Sequence, residues 1–74
     1  MLNTELPVHI TTREAQIERL VLYGRSNLQI ATELGISERT VKFHVTSVFK
    51  KRKVTSRSQL MAAEIIRLED MLND

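Results

Sequence analysis

The sequence contains no cysteine, and this absence limits the kinds of site that the chain can build. Disulfides and thiolate metal centres are excluded, and the two histidines, His9 and His44, lie too far apart in sequence to predict a ligand cluster. Glycine occurs only twice, so there is no glycine-rich phosphate loop, and no nucleophile-and-base pair is evident. The sequence therefore predicts no enzyme, no metal and no cofactor.

Long apolar runs are absent as well. Uninterrupted runs such as Leu20–Leu22 are too short to span a bilayer, and the N-terminus lacks the basic-then-apolar pattern of a signal peptide. These features predict a cytoplasmic protein with no membrane partner. With 74 residues, 42% of them apolar and 27% charged, the chain has the composition of one small folded domain, of a size that dimerisation often stabilises.

The charge is modest in sum but uneven in distribution. The net charge is +2, yet the segment Arg39–Arg57 contains seven basic residues and no acidic one, and the segments on either side are net acidic. A concentrated positive segment in a nearly neutral domain is typical of a polyanion-binding protein. The alternative is an ordinary solvated helix face.

Capping signals predict where the first helix begins and ends. Thr11 and Glu14 have the spacing of a capping box, in which the hydroxyl and the carboxylate satisfy backbone N–H groups at the helix entrance. We expect this helix to run to about Tyr23, because Gly24 suits the left-handed conformation that stops a helix. Its predicted inward residues are Ile17, Leu20 and Val21.

The next two helices follow each other closely. Ser26 and Gln29 repeat the capping pattern, Gly35 closes a short helix, and Ser37 is an N-cap only two positions later. Two short helices joined by a tight turn with glycine predict a helix-turn-helix between about Ser26 and Ser47. The inward residues of the short helix are Ile30, Ala31 and Leu34.

The third helix, predicted from Glu38 to about Lys51, has two different sides. At 100° per residue one side carries Val41, Val45 and Val48. The opposite side carries Arg39, Lys42, Phe43, Thr46 and Lys50. An exposed phenylalanine on a small domain indicates a contact surface, so this outward side is predicted to contact the binding partner.

A fourth helix is predicted from Ser56 and Gln59 to about Leu72. Its apolar residues cover more than one face, and a series with spacings of four, three and four is the pattern of a helix that packs along another helix. This series, predicted to form a dimer interface, is Met61, Ile65, Leu68 and Leu72. The alternative is a wide core stripe with a frayed end.

Two ungapped stretches resemble the DNA-binding domain of LuxR/FixJ (GerE-like) bacterial regulators. They are Gly24–Ala31, which reads GRSNLQIA, and Leu34–Val45, which reads LGISERTVKFHV. The resemblance extends upstream to Ile10 and downstream past Arg57, covering roughly residues 10 to 66. The string Thr40–His44 is similar to the quorum-sensing branch of that family.

The resemblance implies an all-α, four-helix domain over residues 10–72 after an N-terminal arm over residues 1–9. The recognition helix, about 38–51, would enter the major groove, and the helix at about 57–72 would form a dimer. Base contacts are implied for Lys42, Phe43 and Thr46. The predicted phosphate contacts, which include two further cations of the third helix, are Asn27, Arg39, Thr40, His44, Lys50 and Lys51.

The sequence departs from the family pattern at three places. Arg52 and Lys53 stand where the family usually has leucine and glycine. An apolar residue that would continue the inward valine series of the third helix and a helix-stopping residue are therefore both replaced. We expect Arg52 to lay its stem on the core or to expose the helix end, which gives either a local weakness or an added phosphate clamp. Glu18 replaces a commonly apolar residue, and Thr12 a frequent proline.

The sequence thus predicts sequence-specific binding of double-stranded DNA by a bacterial transcriptional regulator. A homodimer on a two-fold related site is expected, with RNA polymerase or another regulator as a further partner. The alternative is a protein-interaction module, such as an anti-activator or sequestering partner, that uses this fold without reading DNA. Either a free-standing regulator or a piece of a larger one is compatible with the sequence.

Overall fold

The computed structural model describes residues 9–73, and within that range the chain forms four α-helices and no strand. The helices are α1 (Thr12–Leu22), α2 (Asn27–Leu34), α3 (Glu38–Arg52) and α4 (Arg57–Leu72). The predicted all-α class is confirmed. The N-terminal arm expected over residues 1–9 lies, apart from His9, outside the described residues. None of the described helices has the length and apolarity that crossing a membrane requires.

All four helices begin after a hydroxyl residue, as predicted from the sequence. At Thr11 and Ser26 both halves of the capping box are present, so the side chain three positions later also accepts from the N-cap backbone. Ser37 and Ser56 accept from the backbone N–H of the residue three positions on. Each helix therefore starts where a side chain satisfies an otherwise unpaired backbone donor.

The turn between α2 and α3 is as short as the sequence predicts. Gly35 adopts a left-handed conformation, with φ of 68° and ψ of 34°, and Ile36 alone separates it from Ser37. The backbone N–H of Ile36 donates to the carbonyl of Ala31 at 3.0 Å, which closes the last turn of α2. The two helices are therefore held in a fixed helix-turn-helix arrangement.

The core lies where α1 and α2 pack against the inner side of α3. The predicted inward residues of these three helices are buried, apart from Leu34, which is half-buried at the edge. The buried apolar residues are Ile17, Leu20, Val21, Ile30, Ala31, Val41, Val45, Val48 and Leu60. Because α4 contributes Leu60 alone to this core, it is attached to the domain mainly through its first turns.

The remaining apolar residues of α4 are exposed. Ile65 is 56% exposed and Leu72 is 83% exposed, and the others range between 36% and 61%. The alternative of a wide core stripe is therefore wrong, because the surplus apolar surface of α4 faces solvent instead of the core.

The end of α3 resolves one departure from the family pattern. Lys53 adopts the left-handed conformation that glycine usually supplies, with φ of 59° and ψ of 43°. Its N–H donates to the carbonyl of Lys50 at 3.2 Å, and the N–H of Val54 donates to that of Phe49 at 2.9 Å. The helix therefore ends with the usual cap, at a cost of about 1 kcal/mol for the left-handed lysine.

Candidate nucleic-acid interface

The orientation of α3 is fixed by its buried valines. Val41 and Val48 are almost wholly buried, with 0% and 1% exposure, and Val45 is 7% exposed. A β-branched residue in a helix has one strongly preferred rotamer, so these contacts leave little freedom for rotation about the helix axis. Whatever lies on the opposite side of α3 is presented to solvent in a defined register.

That opposite side carries the predicted base-facing residues. Lys42, Phe43 and Thr46 are all exposed, and Phe43 is 71% exposed despite its size. Arg39 and Lys50 lie on the same side, one turn before and one turn after this group. Among residues 9–73, none of the three cations on this face forms an ion pair, so their charge is directed at solvent.

Phe43 is supported by its neighbour His44. The two rings meet edge to face, with centroids 5.6 Å apart and an interplanar angle of 69°. This is a favoured geometry for two aromatic rings, and it restricts the rotation of the phenylalanine. His44 itself is half-buried at the edge of the valine side, close enough to the surface for a polar contact.

Thr40 lies in the first turn of α3 and has one hydrogen-bonding direction already fixed. The Ser37 hydroxyl donates to Thr40 Oγ1 at 2.8 Å and accepts from the Thr40 backbone N–H at 3.0 Å. Because Thr40 Oγ1 is the acceptor in the first of these bonds, its own proton remains available to a further acceptor. An exposed hydroxyl donor at this position suits a phosphate oxygen.

Asn27 is the first residue of α2 and is half-buried. Its side-chain oxygen accepts a hydrogen bond from the Arg57 guanidinium, which reaches across from the start of α4. Arg57 therefore belongs to the surroundings of this predicted phosphate contact, although the capping and periodicity signals in the sequence gave no indication of that role.

Lys51 differs from its neighbour Lys50. The sequence predicts a phosphate contact for Lys51, but in the structure its Nζ lies 2.7 Å from Glu14 Oε1 and donates to the His9 carbonyl at 2.8 Å. The ammonium group is engaged within the domain, on the side of α1. The structure does not bring it together with the exposed cations of α3.

Glu14 is the most buried charged residue of the described chain. One carboxylate oxygen accepts from Lys51 and from the Thr11 backbone N–H, and the other accepts from the Ser47 hydroxyl. These bonds, that of Lys51 first, hold the pKa of Glu14 at about 2, well below its ordinary value of 4.5. The sequence identified only the capping role of Glu14 and missed its bond to the last turn of α3.

Arg52 is also paired with α1. Its Nε and one terminal nitrogen donate to the two carboxylate oxygens of Glu18, at 2.7 Å and 2.9 Å. The pairing with Glu18 raises the pKa of Arg52. This two-point contact joins Arg52 to Glu18, which is itself a departure from the family pattern, so the guanidinium is engaged within the domain and is not directed outward as a phosphate clamp would be.

The predicted dimer residues also share one side of their helix. At 100° per residue, Met61, Ile65, Leu68 and Leu72 fall within about 60° of arc on α4. We call this set the α4 stripe. All four residues are exposed, and Leu60, which anchors the helix to the core, lies outside the arc.

The fold and its exposed face define a helix-turn-helix domain. The family model "GerE: Bacterial regulatory proteins, luxR family" matches residues 8–63, which is most of the chain. The chain therefore belongs to this family of bacterial regulatory proteins, as the resemblance implied. Membership of a family of regulators supports the prediction that the chain is not an enzyme.

Individual relatives agree with the family assignment. The chain is 40% identical over 65 residues to "Response regulator protein TmoT" of Ectopseudomonas mendocina, a match that covers 88% of this chain and 27% of that protein. It is 42% identical over 60 residues to "Transcriptional regulatory protein DegU" of Brevibacillus brevis, covering 80% and 25% respectively. The chain thus spans about a quarter of the length of the curated relatives that it matches.

Proposed function

We propose that the chain binds double-stranded DNA sequence-specifically, as a transcriptional regulator, with α3 in the major groove. The observation that carries this proposal is the outward face of α3, where cations that form no ion pair within residues 9–73 flank an exposed Phe43, directly opposite the buried valines. The major groove admits one α-helix, and a helix that is fixed in rotation can present the same side chains to the same base edges each time.

Base readout is assigned to the centre of this face. The Lys42 ammonium can donate to the O6 and N7 acceptors of guanine, and the Phe43 ring can contact a thymine methyl group. Thr46 lies one turn after Lys42 and supplies a hydroxyl of either polarity. The contact between Phe43 and His44 supports this assignment, because a restrained ring distinguishes bases better than a mobile one.

Phosphate contacts are assigned to the residues around that centre. They are Asn27, Arg39, Thr40, His44 and Lys50. Lys51 is not included, since its ammonium is bound by Glu14 and by the carbonyl of His9. These contacts position the domain on the duplex without reading sequence, and they make binding sensitive to salt.

The α4 stripe supports a two-fold dimer formed with a second copy of the chain. Four apolar residues on one side of a helix match the seam expected when two helices pack along each other. In such a dimer the two α3 helices would meet half-sites about one turn of DNA apart. Sedimentation of the chain free and on DNA measures this directly, and a strict monomer in both conditions would contradict it.

The test of the proposal compares two lysines on one face. A bound site is first selected from a randomised duplex pool, and then Lys42→Ala and Lys50→Ala are titrated against that site and against a mixed-sequence duplex. We expect Lys42→Ala to weaken the selected site by roughly tenfold and to relax base preference, because it removes a base contact. Lys50→Ala should weaken both duplexes to a similar extent, because a phosphate contact is independent of sequence.

Arg19→Ala serves as the matched control, because it removes an exposed cation from α1. If the dimer neutralises about six phosphates, log affinity should fall with log salt at a slope near −5. Equal effects of the two lysine variants on both duplexes would contradict the division of roles. No binding to any duplex at moderate salt would favour a protein-interaction module instead.

A further inference from the structure

Arg57 reaches from α4 to the entrance of the helix-turn-helix. It is the first residue of α4, and one terminal nitrogen of its guanidinium donates to the Arg25 carbonyl at 3.0 Å. The other terminal nitrogen donates to Asn27 Oδ1. These two acceptors lie on either side of Ser26, the N-cap of α2. Arg57 therefore joins α4 to the first residue of α2.

The charge of Arg57 is used differently from that of two other basic residues in the same segment. Lys51 and Arg52 are each neutralised by a glutamate of α1. Arg57 forms no ion pair with any carboxylate in the described part of the chain, and both its observed partners are neutral oxygens. A full positive charge thus remains beside Asn27, half-buried and held in place.

The contact fixes which way the Asn27 amide faces. A guanidinium has donors only, so the atom that faces Arg57 must be the amide oxygen, and Nδ2 must lie on the other branch of the side chain. Nδ2 donates to no group among residues 9–73. Since no buried side-chain nitrogen or oxygen of those residues lacks a partner, Nδ2 is accessible to solvent. Without Arg57, nothing in the observed contacts would prefer this orientation to its reverse.

From this geometry we infer that Arg57 is a positioning residue for DNA binding, which holds Asn27 so that Nδ2 is presented to a backbone phosphate. The inference rests on the proposed function. An amide N–H₂ donates to a phosphate oxygen, whereas the reversed amide would present an acceptor to another acceptor. Arg57, a residue of α4, thereby affects the affinity for DNA through Asn27, while residues of α3 contact the groove.

Two other roles for Arg57 make different predictions. If Arg57 contacts a phosphate itself, removing it costs the same affinity whether or not residue 27 is asparagine. If it only stabilises the fold, its removal lowers the melting temperature and leaves the affinity of the folded fraction unchanged. A positioning role requires that the effect of Arg57 depends on Asn27, which a double-mutant cycle measures.

The experiment measures affinity for a mixed-sequence duplex of about 30 base pairs, roughly three turns of DNA. The four proteins of the cycle are the wild type, Arg57→Gln, Asn27→Ala and the double variant. We expect Arg57→Gln to weaken binding by roughly tenfold in the wild-type background, because a glutamine can face the amide with either group. In the Asn27→Ala background it should weaken binding by only about twofold to threefold, through loss of charge alone.

Two conservative variants are measured in addition to the four proteins of the cycle. Arg57→Lys should retain affinity to within about threefold, because an ammonium also has donors only and therefore selects Oδ1. Arg19→Lys, the same change on α1, should have no effect beyond about twofold. Equal fold-changes for Arg57→Gln in both backgrounds would overturn the inference, and so would a lysine variant as weak as the glutamine variant.

A second measurement does not depend on the variants being folded. In the wild-type chain, the side-chain amide signals of Asn27 in nitrogen–proton NMR spectra should shift when the duplex is added. If the duplex binds and these signals do not move, the inference fails and the proposed function stands. If the wild-type chain binds no duplex, both fail together.

Discussion

Two glutamates one turn apart on α1 hold neighbouring residues of α3 in different ways. Glu14 is buried and accepts from a lysine, a serine hydroxyl and a backbone N–H. Within residues 9–73, Glu18 accepts from Arg52 alone; the side chain of Glu18 is 14% exposed and that of Arg52 is 45% exposed. The first carboxylate replaces its lost hydration with several fixed donors, whereas the second meets a guanidinium that is itself partly in contact with water.

This difference in burial and in the number of donors indicates which of the two ion pairs the fold requires. When a buried carboxylate loses its charge, each donor that faces it loses an acceptor, and a buried donor cannot turn to water instead. An ion pair near the surface can separate, and each ion can then be hydrated at small cost. The Glu14 pair should therefore be essential for stability, and the pair between Glu18 and Arg52 should be replaceable by apolar residues.

The largest effect is expected for Glu14→Gln. The amide keeps the size of the side chain but removes the charge, so the Lys51 ammonium is left without its carboxylate. We expect the melting temperature to fall by roughly 10 °C or more. Glu33→Gln is the matched control, because Glu33 pairs with Arg25 at 3.6 Å and both side chains are about half exposed. A control that loses as much stability as Glu14→Gln would remove the distinction between buried and exposed pairs.

The pH dependence of the free energy of unfolding tests the same ion pair. The pKa of Glu14 is lowered from 4.5 to about 2 in the folded chain, so its contribution is complete above pH 4.5 and is lost as the pH falls towards 2. Urea unfolding of the wild type and of Glu14→Gln should therefore give a large gap in stability at about pH 7 and a small one at about pH 2. A gap that stays constant across this range would show that the negative charge of Glu14 is not the source of the difference in stability.

A smaller effect is expected at the second pair. Glu18→Gln should lower the melting temperature by only about 2–5 °C, since Arg52 can regain water. The double variant Glu18→Leu/Arg52→Leu should equal or exceed the wild type, because apolar packing often replaces an ion pair without loss. Its affinity for DNA should stay within about twofold of the wild type, which would not hold if Arg52 were a phosphate clamp.

The smallest effect is expected at the end of α3. Lys53→Gly should raise the melting temperature by about 2–5 °C, because glycine adopts the left-handed conformation without strain. Lys53→Ala removes the same charge but keeps the strain, and it should bring no gain in stability. Equal gains in the two variants would attribute the effect to charge and not to backbone conformation.

Local signals explain how much of the fold the sequence predicts. Each N-cap and its partner lie three positions apart, and the valines of α3 repeat at helical spacing, so the necessary information lies within a few neighbouring residues. The exposed face of α3 follows from the same periodicity. This is why the helices and the candidate recognition surface were both accessible to sequence reasoning.

The long-range side-chain pairs were not accessible in that way. Lys51 and Glu14 are 37 positions apart, and whether they meet depends on how α1 crosses α3, which periodicity does not give. One signal did exist for the second pair. Glu18 and Arg52 have opposite charges, and both replace residues that are usually apolar in the family, so the two departures could have been read as one compensated exchange.

The internal use of cations has a consequence for how the protein would search a genome. Of the seven basic residues between Arg39 and Arg57, Lys51 and Arg52 are neutralised inside the domain by glutamates of α1. Fewer free cations mean weaker attraction to random DNA, where the backbone supplies nearly all of the binding energy. On the proposed function, each encounter with an unrelated sequence should therefore be brief, and fewer molecules would be sequestered by the large excess of competing sites.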